Sequence, residues 1–177
     1  LIGGILICLC IIYLFFSELK NVISILFLVI FGFTESRSNE FALIHSKNFS
    51  NLLVKIAVDD NTKQKGLMNI KQLKTYNGMP FIYDTPQIVN FWMYNTLIPL
   101  DIIFIDDKNI ISSIKEGIPM EKNLITSDIK ISAVLEIPKG CAKKLKVKKG
   151  QIVSWIIKKT AEIKNIRYFH CLNLKEK

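Results

Sequence analysis

The chain has 177 residues, half of them apolar, and a formal net charge of +9. That length suits one domain plus something extra, and the apolar share is enough to build a real core. The charge invites a nucleic-acid reading, but residues 39–138 carry 10 Lys against 11 acids, while residues 139–177 carry 12 Lys and Arg against 2 acids.

The basic excess is therefore confined to the C-terminal end, and only two residues of the chain are Arg. Base readout favours Arg, and no aromatic platform interleaves with these lysines, so no nucleic-acid partner is expected. A solvated or membrane-facing basic edge is the better reading.

The extra part is at the front. Leu1 to Phe16 is an uninterrupted apolar run, "SELKN" interrupts it, and Val22 to Phe33 is a second run. Sixteen residues as a helix reach about 24 Å, short of the roughly 30 Å hydrocarbon layer, whereas a dozen apolar residues suit the core of a signal peptide. Lys20 supplies a positive flank, and "SRS" (Ser36 to Ser38) puts small residues where a signal peptidase reads, so cleavage is expected before Asn39. A retained membrane anchor or helical hairpin is the alternative. Residues 1–38 thus read as a hydrophobic leader, and the body is expected to work outside the cytoplasm, in the periplasm or anchored to the membrane.

Residues 39–50 are polar and unpatterned and read as a linker. Asn51–Asp60 reads as the first strand of a β domain spanning residues 51–157. Asp60–Met68 reads as a short helix capped by Asn61, with Gln64 as reciprocal partner and Gly66 ending it. Asn77–Gly78 is a turn signal, and Pro80 limits how the following segment joins a sheet. Pro86–Tyr94 alternates, with Ile88, Asn90, Trp92 and Tyr94 on one face and Val89, Phe91 and Met93 on the other.

Asp101–Lys115 holds two β-branched runs joined by Asp106–Asn109, which is a hairpin. Ile129–Pro138 supplies another strand, Lys139–Val147 a helix-like segment, Lys148–Gly150 a turn and Gln151–Ile157 a last strand. Residues 158–177 read as a basic tail. The pattern is all-β, a mainly antiparallel β-sandwich or jelly-roll-like barrel with one or two short helices. Neither G-x-G-x-x-G nor a Walker loop occurs, so no nucleotide cofactor is expected.

Cys8 and Cys10 fall in the leader. Cys141 and Cys171 remain, a pair that would bridge in an oxidising compartment or persist as two thiols. No CxxC or Cys/His spacing suggests structural zinc.

Gly66–Met68 (GLM), Asn77–Phe81 (NGMPF), Phe91–Asp106 (FWMYNTLIPLDIIFID), Val134–Gly140 (VLEIPKG) and Leu145–Val153 (LKVKKGQIV) occur in one order and spacing. Over about residues 54–153 the chain resembles the bacterial and archaeal family called domain of unknown function 192. The resemblance implies a compact, mainly β sandwich or jelly-roll-like domain, often behind a signal peptide. It implies no activity or catalytic residue, so none is carried over. Pro80 stands where the family usually has Leu.

Within Phe91–Asp106 a turn gathers Trp92, Asn95, Thr96 and Asp101 between apolar neighbours. The plain reading is a self-bonded turn, with Trp92 in the core and Asp101 accepting loop amides. The binding reading makes Trp92 a flat stacking face and Asn95, Thr96 and Asp101 hydrogen-bonding groups for a sugar or other small polar ligand or envelope component. An alternative makes Asp101 and Glu136 the acid and base of a glycosidase-like hydrolase, which needs carboxyl groups about 5 to 5.5 Å or about 6.5 to 9.5 Å apart. A third makes Met68, Met79 and Met93 thioether ligands for Cu(I). His45 and His170 lie outside the body, which leaves no convincing nucleophile system. The expectation is an exported, non-catalytic binding or accessory module of the cell envelope.

Overall fold

The computed structural model describes residues 40–164 and 166–174; the hydrophobic leader and its cleavage site lie outside them. Among the described residues no helix is long and apolar enough to cross a membrane. The strands are β1 (Glu40–Ser46), β2 (Phe49–Lys55), β3 (Met79–Gln87), β4 (Asn90–Phe91), β5 (Leu100–Ile105), β6 (Ile111–Gly117), β7 (Ile125–Thr126), β8 (Ile131–Pro138) and β9 (Val153–Lys159). Among the described residues three short helices accompany them: α1 (Asp60–Lys65), α2 (Cys141–Lys144) and α3 (Thr160–Ile163).

The strands form a three-stranded sheet β2-β1-β9, a four-stranded sheet β3-β8-β5-β6 and a small pair β4-β7. All of these pairs are antiparallel. Single bridges, Ala57 to Phe81 and Ile110 to Ile152, stitch the two larger sheets at their corners. The all-β expectation holds as packed sheets; they do not close into a barrel.

Register assigns each side chain to a face. Paired residues on neighbouring strands point the same way and consecutive residues point oppositely. In β5 and β8 the pairs Ile103–Leu135 and Ile105–Ala133 alternate with Ile102–Glu136 and Phe104–Val134. The first set packs into a cluster with Ala42, Ile44, Leu52 and Val54 of the three-stranded sheet. Ile102, Phe104 and Val134 pack on the other side with Leu67, Met79, Phe81, Val89 and Met93. Both faces of β5 are buried, so "IIFI" reads as a continuous apolar run and not as an alternation.

Several boundaries differ from the sequence reading. The expected linker at 39–50 contains β1 and the start of β2, because its polar ends enclose Phe41–Ile44, which pairs with β2 on one side and β9 on the other. Helix α1 is capped by Asp59, not Asn61. The Asp59 carboxylate accepts the Thr62 amide at 2.8 Å, and Thr62, not Gln64, returns the bond by accepting the Asp59 amide at 3.0 Å. Pro80 lies inside β3, an edge strand. Its carbonyl accepts the Ala57 amide at 3.1 Å, so its ring nitrogen faces away from β8 and the β8 ladder loses no donor.

The segment after Lys158 is likewise more than a loose basic tail. β9 continues to Lys159, and α3 and a 3-10 turn at Cys171–Asn173 follow. Cys141 and Cys171 form a disulfide with a Cα separation of 5.4 Å. Asn77, fully buried, donates to the carbonyls of Leu53 at 3.3 Å and Phe169 at 2.7 Å, and its side-chain oxygen accepts the Cys171 amide at 2.7 Å. The Asn-Gly pair therefore clamps the C-terminal segment to the body.

Candidate functional site

Glu136 sits in the middle of β8 between Met79 of β3 and Ile102 of β5, on the face covered by the second apolar cluster. It is only 5% exposed, and its Oε2 has no hydrogen-bond partner. Burial pushes its pKa up to about 8. At neutral pH the group is mostly a neutral carboxylic acid, able to donate as well as accept.

The end of α1 lies over this carboxyl. Gly66 has φ +47° and ψ −131°, a conformation that needs glycine. A side chain there would begin 3.3 Å from the Phe81 ring and 3.7 Å from Glu136 Oε2. The missing side chain leaves one wall of a cleft of about 190 Å³. Glu136, Tyr83, Trp92, Thr96 and Lys63 are among the residues that line it. Burial, with a smaller contribution from the Glu136 charge, pushes the Tyr83 phenol up to about 12, so it stays protonated. Phe91 fixes the wall behind, meeting Phe81 edge-on at 5.0 Å and Phe104 at 6.3 Å.

The alternation expected across residues 86–94 is observed as burial: Val89 and Met93 are buried, while Ile88, Trp92 and Tyr94 are exposed. Only Asn90–Phe91 is strand, however, paired with Thr126 and Ile125 of β7. Trp92 does not fill the core. It is 47% exposed and leans on Tyr94 at 5.6 Å, which leaves ring surface at the cleft.

The four expected binding residues separate. Trp92 and Thr96 line the cleft. Thr96 is buried and held by its backbone, donating to the Met93 carbonyl at 3.0 Å and accepting the Met120 amide at 3.1 Å. Asn95 shapes the turn, with φ +55° and its carbonyl accepting the Asn69 amide at 2.8 Å. Asp101 is elsewhere. Its Oδ2 accepts the Ala142 amide at 2.9 Å in the first turn of α2, and burial raises its pKa while the Ala142 and Gly140 amides oppose the rise.

Asp101 pairs with Ile137, whereas Glu136 pairs with Ile102. The two carboxyls therefore point to opposite faces of the sheet and do not converge on one bond. The glycosidase-like arrangement is not formed. The methionines also divide. Met79 and Met93 are packed in the second apolar cluster, Met93 against Gly117, and Met68 lines the cleft. Packing accounts for the first two. Among the described residues no group of three or more His, Cys, Asp or Glu side chains is placed to hold a metal.

His45 Nδ1 accepts the Asn51 amide at 3.4 Å, and a ring nitrogen of His170 lies 2.7 Å from the Lys74 carbonyl. Tyr83, Gly66 and Lys63 are cleft residues that the sequence reading did not select. The signal available for this site was an acid at position 136 inside the apolar run "AVLEIP".

A family model described as DUF192, uncharacterized ACR, matches residues 42–155. A crystal structure of a protein of unknown function from Novosphingobium aromaticivorans is similar at 30% identity and a TM-score of 0.59, over 65% of this chain and 84% of that one. A putative transcription regulator from Sinorhizobium meliloti is similar at 29% identity and a TM-score of 0.61, over 67% of this chain and 95% of that one. No curated protein matches the chain.

Proposed function

The chain belongs to the DUF192 family, and we propose that this member is a non-catalytic binding module that takes a small polar ligand in the cleft between α1, β3 and Trp92. One observation carries this reading: a buried carboxyl with an unpartnered oxygen lines an open cleft. A buried polar atom without a partner is costly, and a ligand's polar group would satisfy it. Trp92 offers a stacking face, and Thr96 adds a hydroxyl-bearing side chain.

The opposed placement of Asp101 and Glu136 favours binding over acid–base hydrolysis. Similarity to the putative Sinorhizobium transcription regulator invites a DNA-binding reading. The helices described here have six, four and four residues, too short to serve as the groove-reading helix that such proteins commonly use.

The chain has two tryptophans, Trp92 and Trp155. A Trp155→Phe variant screened against sugars, sugar acids and amino acids is expected to show a saturable change in Trp92 emission with some of them. Trp92→Ala is expected to weaken the same ligand roughly tenfold by calorimetry. Binding that ignores Trp92, or a screen with no saturable change, would count against the reading.

The disulfide supports the further proposal that the body works outside the cytoplasm, where such bonds persist. The mature protein is then expected to begin at Asn39, and mass spectrometry of its N-terminus decides between cleavage and a retained leader.

A further inference from the structure

We infer that the ligand of this cleft is a small hydroxylated carboxylate of the sugar-acid class, its charge held at the mouth by Lys63 and Lys65 and its hydroxyls at the floor by Glu136. The inference rests on the binding reading above and adds the ligand's charge and where it sits. Lys63 and Lys65 both line the cleft, and among the described residues that line it Glu136 is the one acid. The Lys63 ammonium stands 5.4 Å from the centre of the Tyr83 ring, which places it against the β3 wall. An ammonium-bearing ligand would meet two like charges on entry, and a neutral one would leave them unused.

The floor selects differently. Placing an anion beside an ionised, buried carboxylate would be repulsive at low local dielectric. Glu136 is instead largely neutral below about pH 8 and can both donate to and accept from a hydroxyl. The groups around it are Tyr83 from β3 and Lys63 and Lys65 from α1; its direct strand neighbours, Met79 and Ile102, carry no charge. Tyr83, pushed up to about 12, keeps its proton through this range, so Glu136 is the floor group that changes.

Three pyranoses alike in ring and differing in charge test the inference: glucuronate, glucose and glucosamine, titrated calorimetrically into the full chain at low salt. At pH 7 glucuronate is expected to bind about fivefold more tightly than glucose, with glucosamine weakest. The double variant Lys63→Gln, Lys65→Gln is expected to erase the margin of glucuronate over glucose. Between pH 7 and pH 9 glucuronate affinity should fall about tenfold in the wild type, as the neutral form of Glu136 is lost. It should stay flat in Glu136→Gln, whose amide keeps a donor at every pH.

Glucose or glucosamine binding as tightly as glucuronate, or affinity that rises with pH, would overturn the inference while leaving the cleft as a binding site. No binding of any of the three would also overturn it. The broader reading fails separately, through a Trp92 screen that finds no ligand of any class.

Discussion

Raising the pH from 5 to 8 should cost the folded protein about 1.4 kcal/mol per pH unit through Glu136, and Glu136→Gln should remove that component of the slope. The ordinary glutamate value is 4.5, and the folded value is about 8. Below the first, both folded and unfolded chains hold the proton and the group has no effect on the slope. Between the two, only the folded chain holds it, so every unit of rising pH favours unfolding. Above the second, neither holds it and the slope from this group ends.

The total is on the order of a few kcal/mol, a large share of the stability of a domain this size. Urea denaturation of the wild type and Glu136→Gln at several pH values isolates the effect, because the other carboxylates are common to both. Parallel pH profiles for the two proteins would show that Glu136 is ionised in the fold at neutral pH.

Gly78→Ala is expected to abolish cooperative folding or to lose more than about 4 kcal/mol. A Cβ at position 78 would overlap the backbone oxygen of Glu136 and approach Ile137 Cγ2 at 2.7 Å. The backbone oxygen cannot swing aside, because it belongs to a central strand bonded on both sides. The glycine is also tied down, its carbonyl accepting the Lys55 amide at 3.0 Å while Asn77 beside it donates to Leu53 at 2.7 Å. Relief would need β3 to separate from β8, which would open the floor beneath the cleft. Thermal unfolding followed by circular dichroism measures this, and a midpoint equal to that of the wild type would contradict the close approach.

The parts of the fold legible in the sequence are those whose pattern is local. The β5–β6 hairpin followed from two β-branched runs around Asp106–Asn109, and there Asp106 Oδ1 accepts the amides of Lys108 and Ile110 at 2.9 and 2.8 Å. The exposed and buried faces around Trp92 followed from alternation alone, even though little of that segment is strand. β1 was obscured because its apolar stretch is short and its flanks are polar; pairing on both sides makes it a central strand.

The site was less legible, for a physical reason. Whether Asp101 and Glu136 share a face depends on which residue of β5 stands opposite which residue of β8, and a slip of one position reverses the answer. Sequence spacing carries no such register. The cleft also depends on the backbone of Gly66 passing close to Glu136, a tertiary contact that no local motif specifies. Trp92 and Thr96, which line the cleft, stood out in the sequence as aromatic and hydroxyl groups set in a turn between apolar neighbours. Asn95 was a turn residue, as its type suggests.

The account depends on a neutral carboxyl at the floor of an accessible cleft. Carbon-13 NMR of the protein labelled at its glutamate side-chain carboxyls follows that group directly. The account predicts one glutamate resonance titrating near pH 8, absent in Glu136→Gln and displaced when glucuronate is added. Glutamate resonances that all titrate below about pH 5.5, or a high-pH resonance that survives Glu136→Gln, would contradict it.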